Sequence, residues 1–199
     1  MRIIAGIHRS RRLIASDKLP VRPTTDRAKE ALFSIIESGY YFDEKTVLDL
    51  YSGTGNIAYE FASRGVEKVT AIDNNFHCIK YIEKTTKELD LNITAVKSDC
   101  IKYLENCKQQ FNFIFADPPY DYENYQEMKD LIINKKLIKE EGLLIIEHNK
   151  DIQFDGENII ILGRYTEQIK KLKKELIELR ISLETKNQIV NAFIQKGFK

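Results

Sequence analysis

Cysteine and histidine are scarce in this chain of 199 residues, with three of each. Cys78, Cys100 and Cys107 show no Cys-x-x-Cys spacing. The pattern argues against a zinc site or a disulfide framework and fits a reducing compartment. No apolar run approaches the ~18 residues of a membrane-spanning helix, and no signal segment precedes the first strand. A cytoplasmic protein with no membrane partner is therefore expected. The hydrophobic share of 43% is ordinary for a soluble globular protein, and the length suffices to bury one core without staples.

Strong net charge is also missing, since the formal total is +1. That balance hides an uneven spread. Residues 1–30 hold eight Lys/Arg against three Asp/Glu, an excess of five, so the remainder carries −4. The asymmetry points to an acidic partner for the amino-terminal segment, nucleic acid first.

The amino terminus has two short apolar runs, Ile3-Ile4 and Leu13-Ile14, around the basic turn His8-Arg9-Ser10-Arg11-Arg12. This predicts a β-hairpin whose Arg9, Arg11 and Arg12 sit on phosphates. Arg22-Pro23-Thr24-Thr25-Asp26-Arg27 then opens a helix. Either threonine suits the N-cap, and Asp26 falls in the first turn. Ala28, Leu32, Phe33, Ile35 and Ile36 form the apolar stripe, and Gly39 closes the helix as a C-terminal glycine. Arg22 and Arg27 bracket the helix start. They suit a substrate backbone, or pairing with nearby acids.

Six apolar segments read as strands: Thr46–Tyr51, Val69–Asp73, Ile93–Val96, Phe111–Ala116, Gly142–Glu147 and Asn158–Leu162. The first five alternate with helical segments, which predicts βαβ units and a mostly parallel sheet. The first strand runs into Ser52-Gly53-Thr54-Gly55-Asn56 and then a helix. Strand, glycine turn and helix form a nucleotide-cofactor pattern, because the glycines admit a close approach and the helix start offers N–H donors. The third glycine of a dinucleotide fingerprint is absent, which argues against NAD or FAD. The Gly-Lys-Ser/Thr ending of a phosphate-binding loop is absent too. Asp73 ends the second strand, where a carboxylate accepts from ribose hydroxyls. Asp99 ends the third, placed to accept from an adenine amino group or to cap the next helix.

Asp117-Pro118-Pro119-Tyr120 follows the fourth strand. Two prolines end a ladder, which leaves Asp117 and Tyr120 at the strand's carboxyl end, where open α/β sheets bind ligands. A nucleobase amino group is a poor nucleophile because its lone pair is delocalised into the ring. Asp117 can accept one of its hydrogens and the Pro118 carbonyl the other, which localises that pair. Tyr120 offers a face for stacking an extruded base. The sequence around His8, His77 and His148 gives no base–orienter pattern, and they receive no catalytic role.

From Thr166 the character changes. Ile169, Leu172, Leu176, Leu179, Leu183, Val190 and Phe193 follow a 3/4 spacing among lysines and glutamates. A long amphipathic helix is expected, packed on its own domain or seating a second copy of the chain. The organisation read here is an RNA-facing hairpin and helix over 1–45, a catalytic domain over 46–165 and a helical tail over 166–199.

Four motifs, Arg2-Ile3-Ile4-Ala5-Gly6, Arg22-Pro23-Thr24-Thr25-Asp26-Arg27, Leu48-Asp49-Leu50-Tyr51-Ser52-Gly53-Thr54-Gly55 and Asp117-Pro118-Pro119-Tyr120, give the chain a family likeness. Over roughly residues 1–165 it resembles the 16S rRNA guanine-N2 methyltransferases of RsmD type. The resemblance implies a Rossmann-like class I methyltransferase fold with seven strands. It also implies S-adenosylmethionine as donor and a guanine of the small-subunit rRNA as acceptor. It places the donor on Asp49, Tyr51, Gly53, Gly55, Asp73, Asn74, Asp99 and Cys100, and the target base at Asp117 to Tyr120. The family's closing hairpin strand after a Tyr-Gly pair is replaced here by Gly163-Arg164-Tyr165 and the charged tail.

The reaction expected is metal-free transfer of a methyl group to guanine N2, catalysed by positioning and by preorganised acceptors. Little beyond the amino-terminal segment is available to read RNA, so an assembled or partly assembled small subunit is the expected substrate. Two other readings use the same residues: methylation of adenine N6 in DNA or another RNA, and a non-catalytic RNA-binding assembly factor.

Overall fold

The computed structural model describes residues 1–14, 25–119, 121–148 and 159–163. Arg22, Tyr120 and the expected tail lie outside those residues. The chain runs through α1 (Asp26–Glu37), β1 (Thr46–Leu50), α2 (Asn56–Ser63), β2 (Lys68–Asp73) and α3 (Phe76–Glu88). It continues through β3 (Ile93–Lys97), α4 (Cys100–Asn106), β4 (Phe111–Ala116), α5 (Tyr125–Asn134), β5 (Ile138–His148) and β6 (Ile159–Gly163). The strands lie in the order β3-β2-β1-β4-β5-β6, and every neighbouring pair is parallel. This is a Rossmann-like sheet. The seventh strand implied by the resemblance is not among the described residues.

Parallel central strands are buried on both faces, and alternate residues feed two cores. Val47, Val69, Ala71, Phe113 and Phe115 pack under α1, α2 and α3. Leu48, Leu50, Ile72, Ile114 and Ala116 pack under α4 and α5. Helices therefore cover both faces. The strand order reverses between β1 and β4, and open α/β sheets bind their ligands at the carboxyl ends of such a switch point. Among the described residues no helix is long and apolar enough to cross a membrane.

The strand expectations for β1 to β4 agree with the structure to within a residue at each end. β5 starts earlier than expected, at Ile138 rather than Gly142. Phe111 pairs with Ile138 but Phe113 with Leu143, so extra residues bulge out, with Glu141 at φ +58°. A bulge breaks the period-2 pattern that marks a strand in sequence. In α1 the threonine cap is Thr25, whose hydroxyl accepts from the Ala28 N–H. The apolar stripe needs correcting: Lys29 and Ala31 are buried, whereas Ala28 and Ile35 are only partly so. Gly39 is not left-handed, and the helix ends through Gly39 and Tyr40 N–H bonds to the Ile36 carbonyl.

The amino-terminal hairpin exists but is short. Its one antiparallel bridge joins Arg2 and Arg12, flanked by an Ile3 N–H bond to the Arg11 carbonyl at 3.0 Å. It is not a free arm, because Ile3 and Leu13 are core residues. Glu60 of α2 accepts from the Ile4 and Ala5 N–H groups at 2.8 and 3.0 Å. The Ser63 carbonyl accepts from the Ile7 N–H at 2.8 Å. Gly6 (φ +81°) lies so close to α2 that a Cβ there would fall 1.7 Å from the Ser63 carbonyl oxygen.

Gly6→Ala should therefore destabilise the protein by about 2 kcal/mol or more in urea denaturation. Gly39 has an ordinary φ, and a Cβ added there would meet nothing within 4 Å. Gly39→Ala should thus change stability by less than about 1 kcal/mol. Equal losses at the two sites would contradict the docking described.

Candidate active site

Register places three carboxylates around the end of β1. Leu50 pairs with Ile72 on one side and with Ala116 on the other. Asp73 and Asp117 come one residue after those partners, so they flank the turn that β1 enters. Asp49 lies one residue before Leu50. Its carboxylate is 1% exposed and is anchored by the Ala58 backbone N–H in the first turn of α2. Among the described residues its Oδ2 atom has no hydrogen-bond partner. Burial pushes the Asp49 carboxyl well above the usual range, and the nearby charges of Asp117 and Asp73 push the same way, while the Ala58 N–H opposes them.

The turn between β1 and α2 is built from left-handed residues: Tyr51 at φ +57°, Gly53 at +52° and Gly55 at +80°. Tyr51 carries a side chain into a conformation that costs energy, so the surroundings must hold it there. The Ser52 N–H bonds the Ile72 carbonyl at 2.9 Å, and the Gly55 N–H bonds the Ser52 carbonyl at 2.7 Å. A Cβ at Gly55 would come within 2.9 Å of the Tyr59 ring. Asp73 grips the turn directly, its Oδ2 accepting from the Gly53 N–H at 2.8 Å and its Oδ1 from the Asn75 N–H at 2.8 Å. Burial raises its carboxyl, and those two bonds pull it back.

The remaining expected donor residues line the same edge. Asn74 is exposed just after β2. Asp99 caps α4, accepting from the Lys102 N–H at 3.0 Å, one of the two roles expected of it. Cys100, first in α4, is buried, which pushes its thiol up to about 12, and it meets the Tyr51 backbone N–H. On the acceptor side Asp117 is half-buried, Pro118 buried and Pro119 exposed. The Pro119 carbonyl accepts from the Tyr122 N–H at 3.1 Å, and the Tyr122 ring meets the Tyr51 ring edge-on at 5.6 Å. Arg9, Arg11, Arg12 and Arg27 are all exposed.

Sequence reading missed Lys29, Glu60 and Tyr122. The first two had a signal. Lys29 stands three, four and seven residues before Leu32, Phe33 and Ile36, on the apolar stripe itself. A charge on a buried stripe marks an internal pair. Tyr122 had no such signal, because its position follows from how the turn after β4 folds back.

A site walled by acids, with one buried carboxylate oxygen unsatisfied, suits a cationic ligand, and a sulfonium bearing an amino acid moiety is one. The fold and this acid-lined glycine turn define a class I methyltransferase, an enzyme that takes its methyl group from S-adenosylmethionine. Residues 1–181 match the family described as Conserved hypothetical protein 95. The chain belongs to that family, the RsmD-type methyltransferases. It is 33% identical over 158 residues to "Putative rRNA methyltransferase YlbH" of Bacillus subtilis, covering 77% of this chain and 85% of the relative. It is 28% identical over 156 residues to the Haemophilus influenzae "Ribosomal RNA small subunit methyltransferase D", covering 76% and 80%. Among solved structures, "Putative methyltransferase yhhF from Escherichia coli" superposes with a TM-score of 0.70 at 26% identity, over 79% of this chain and 86% of that one.

A carboxyl raised on folding opposes the folded state once it ionises. Its favourable contribution is complete below the ordinary carboxylate pKa near 4 and is lost as pH rises through the raised value. An amide in its place would keep the shape and never ionise. Asp49→Asn should thus melt with the wild type at pH 4 but several degrees above it at pH 7.5, both without ligand. A lower melting temperature at pH 7.5 would contradict the burial argument.

Proposed function

We propose that the protein methylates the exocyclic N2 of a guanine in small-subunit rRNA. The observation that carries this reading is the convergence of Asp117 with Asp49 and Asp73 at one end of β1. Acceptor and donor groups then share one crevice. The relatives named ribosomal RNA small subunit methyltransferase D favour RNA as the substrate.

S-adenosylmethionine supplies a methyl group already activated on a sulfonium. Asp49, with its unpartnered Oδ2, faces the donor's positive charge. Tyr51, Gly53 and Gly55 form the turn along its amino acid part. Asp73 spends one lone pair of each oxygen on backbone N–H groups and keeps the others for ribose hydroxyls. Asn74, Asp99 and Cys100 border the adenine. Asp117 and the Pro118 carbonyl accept the two amino hydrogens of the guanine, which turns the nitrogen lone pair toward the methyl carbon. Tyr120 stacks on the base. A donor held there would give its methyl carbon to that nitrogen and leave as the neutral thioether S-adenosylhomocysteine, and the surplus proton would leave from the methylated nitrogen, acidic once it is cationic. No strong base is needed, and catalysis is mainly positioning.

Arg9, Arg11, Arg12, Arg22 and Arg27 contact phosphates. Such contacts position RNA without reading sequence, so the shape of a partly or fully assembled small subunit selects the base. An adenine-N6 acceptor uses the same chemistry and is an outcome of the test. A binding factor without turnover is a third reading, and a protein that bound subunits but transferred no label would support it.

Small subunits incubated with labelled S-adenosylmethionine and digested to nucleosides should yield N2-methylguanosine, and naked rRNA should be the poorer acceptor. Methyladenosine, or no product, would overturn the assignment. Asp117→Ala and Tyr120→Ala should each cut kcat at least about 100-fold while S-adenosylhomocysteine affinity changes less than about threefold, the mark of groups that act at the acceptor.

A further inference from the structure

Lys29 of α1 is wholly buried, and so is Glu60 of α2. Burial lowers the lysine's pKa, and Glu60 opposes that. A buried ion pair gains little net stability, because desolvation consumes most of the attraction. Charge balance calls for a second cation, because Arg64 is shared by Glu60 and Glu37, but it does not say where that cation sits. Glu60 already has Arg64, whose Nη2 lies 2.9 Å from Oε1, besides the two N–H groups of Ile4 and Ala5. Arg64 is itself held against the Phe33 ring, with its guanidinium 4.6 Å from the ring centre, and is paired with Glu37.

Lys29 contributes three divergent donors from one point. Nζ lies 2.6 Å from the Arg2 carbonyl in the hairpin and 2.8 Å from Asn56 Oδ1 at the start of α2. Glu60 Oε2 is 3.1 Å away. All three ammonium donors have acceptors, and the acceptors belong to the basic hairpin, the residue after Gly55, and the helix anchoring both. The hairpin backbone and the donor turn thus meet at a single nitrogen.

We infer that Lys29 is a positioning residue for methyl transfer: by bonding Arg2 and Asn56 together, its ammonium fixes the RNA-contacting hairpin in register with the donor turn. The inference rests on the proposed role of the hairpin in RNA binding. The turn itself stays anchored without Lys29, through Asp73 on Gly53 and Asp49 on Ala58. Loss of Lys29 should therefore be felt by the RNA and not by the donor.

Lys29→Met keeps the stem and leaves Glu60 paired with Arg64. Its kcat/KM on small subunits should fall at least tenfold, with S-adenosylhomocysteine affinity within threefold of wild type by calorimetry. Asn56→Ala cuts the same link from the other side and serves if the first variant folds poorly. The double variant should lose no more than the worse single one, because one interaction is removed twice. A purely structural role would instead give turnover losses that track melting temperature and disappear when the assay is run well below it, and that result overturns the inference. Arg9→Ala/Arg11→Ala/Arg12→Ala distinguishes the two levels. If this variant loses subunit affinity while Lys29→Met and Asn56→Ala keep full turnover, the positioning role fails and the RNA reading stands. If it binds subunits normally, the hairpin reading fails and the inference falls with it.

Discussion

One carboxylate oxygen with nothing to bond governs the centre of this molecule. Asp49 is buried beneath the first turn of α2, flanked by the charges of Asp73 and Asp117, and among the described residues is satisfied at only one of its two oxygens. Burying such a group is unfavourable unless something positive arrives. The surrounding architecture follows from tolerating it. The Ala58 N–H at a helix start holds one oxygen, two left-handed glycines and a left-handed tyrosine carry the chain around it, and Asp73 clamps the turn through Gly53. Each feature costs something by itself. Together they make a preorganised seat for a cation, the proposed donor, and Asp117 is within electrostatic reach of that seat.

The basic hairpin is packed onto the same core. Ile3 and Leu13 sit in the core, and α2 receives its backbone through Glu60 and Ser63. The helix that starts beside the donor turn therefore also carries the segment proposed to meet RNA. Arg9, Arg11 and Arg12 stay exposed on a mount that barely needs reorganising to bind. In the proposed reaction, phosphate contacts from that mount would fix where the target base lies relative to Asp117, which is what a reaction driven by positioning requires.

Much of this was legible in the sequence. β1 to β4 announce themselves as short apolar runs ending in glycine, aspartate or proline, because a parallel strand buried on both faces has little freedom in composition. Asp73 and Asp117 were placed by their strand ends, where a parallel sheet gathers its ligands, and Asp49 by the family likeness; the structure brings the three together at the end of β1. The buried Lys29–Glu60 pair was harder. Helical periodicity treats a lysine on the stripe as noise, although Lys29 aligns with Leu32, Phe33 and Ile36. The early start of β5 was hidden by its bulge at Glu141. Gly39 invited a left-handed cap that α1 does not use, since Ser38, Gly39 and Tyr40 close the helix with ordinary backbone bonds.

The central claim is that the buried Asp49 carboxyl is held above the normal range only until the donor's positive charge arrives. Carbon-13 NMR titration of the aspartate carboxyls, with and without S-adenosylmethionine, measures this directly. The Asp49 resonance should titrate well above pH 4 in the free protein and at clearly lower pH with the donor bound. A midpoint unmoved by the donor, or one already in the ordinary carboxylate range without it, would contradict the account.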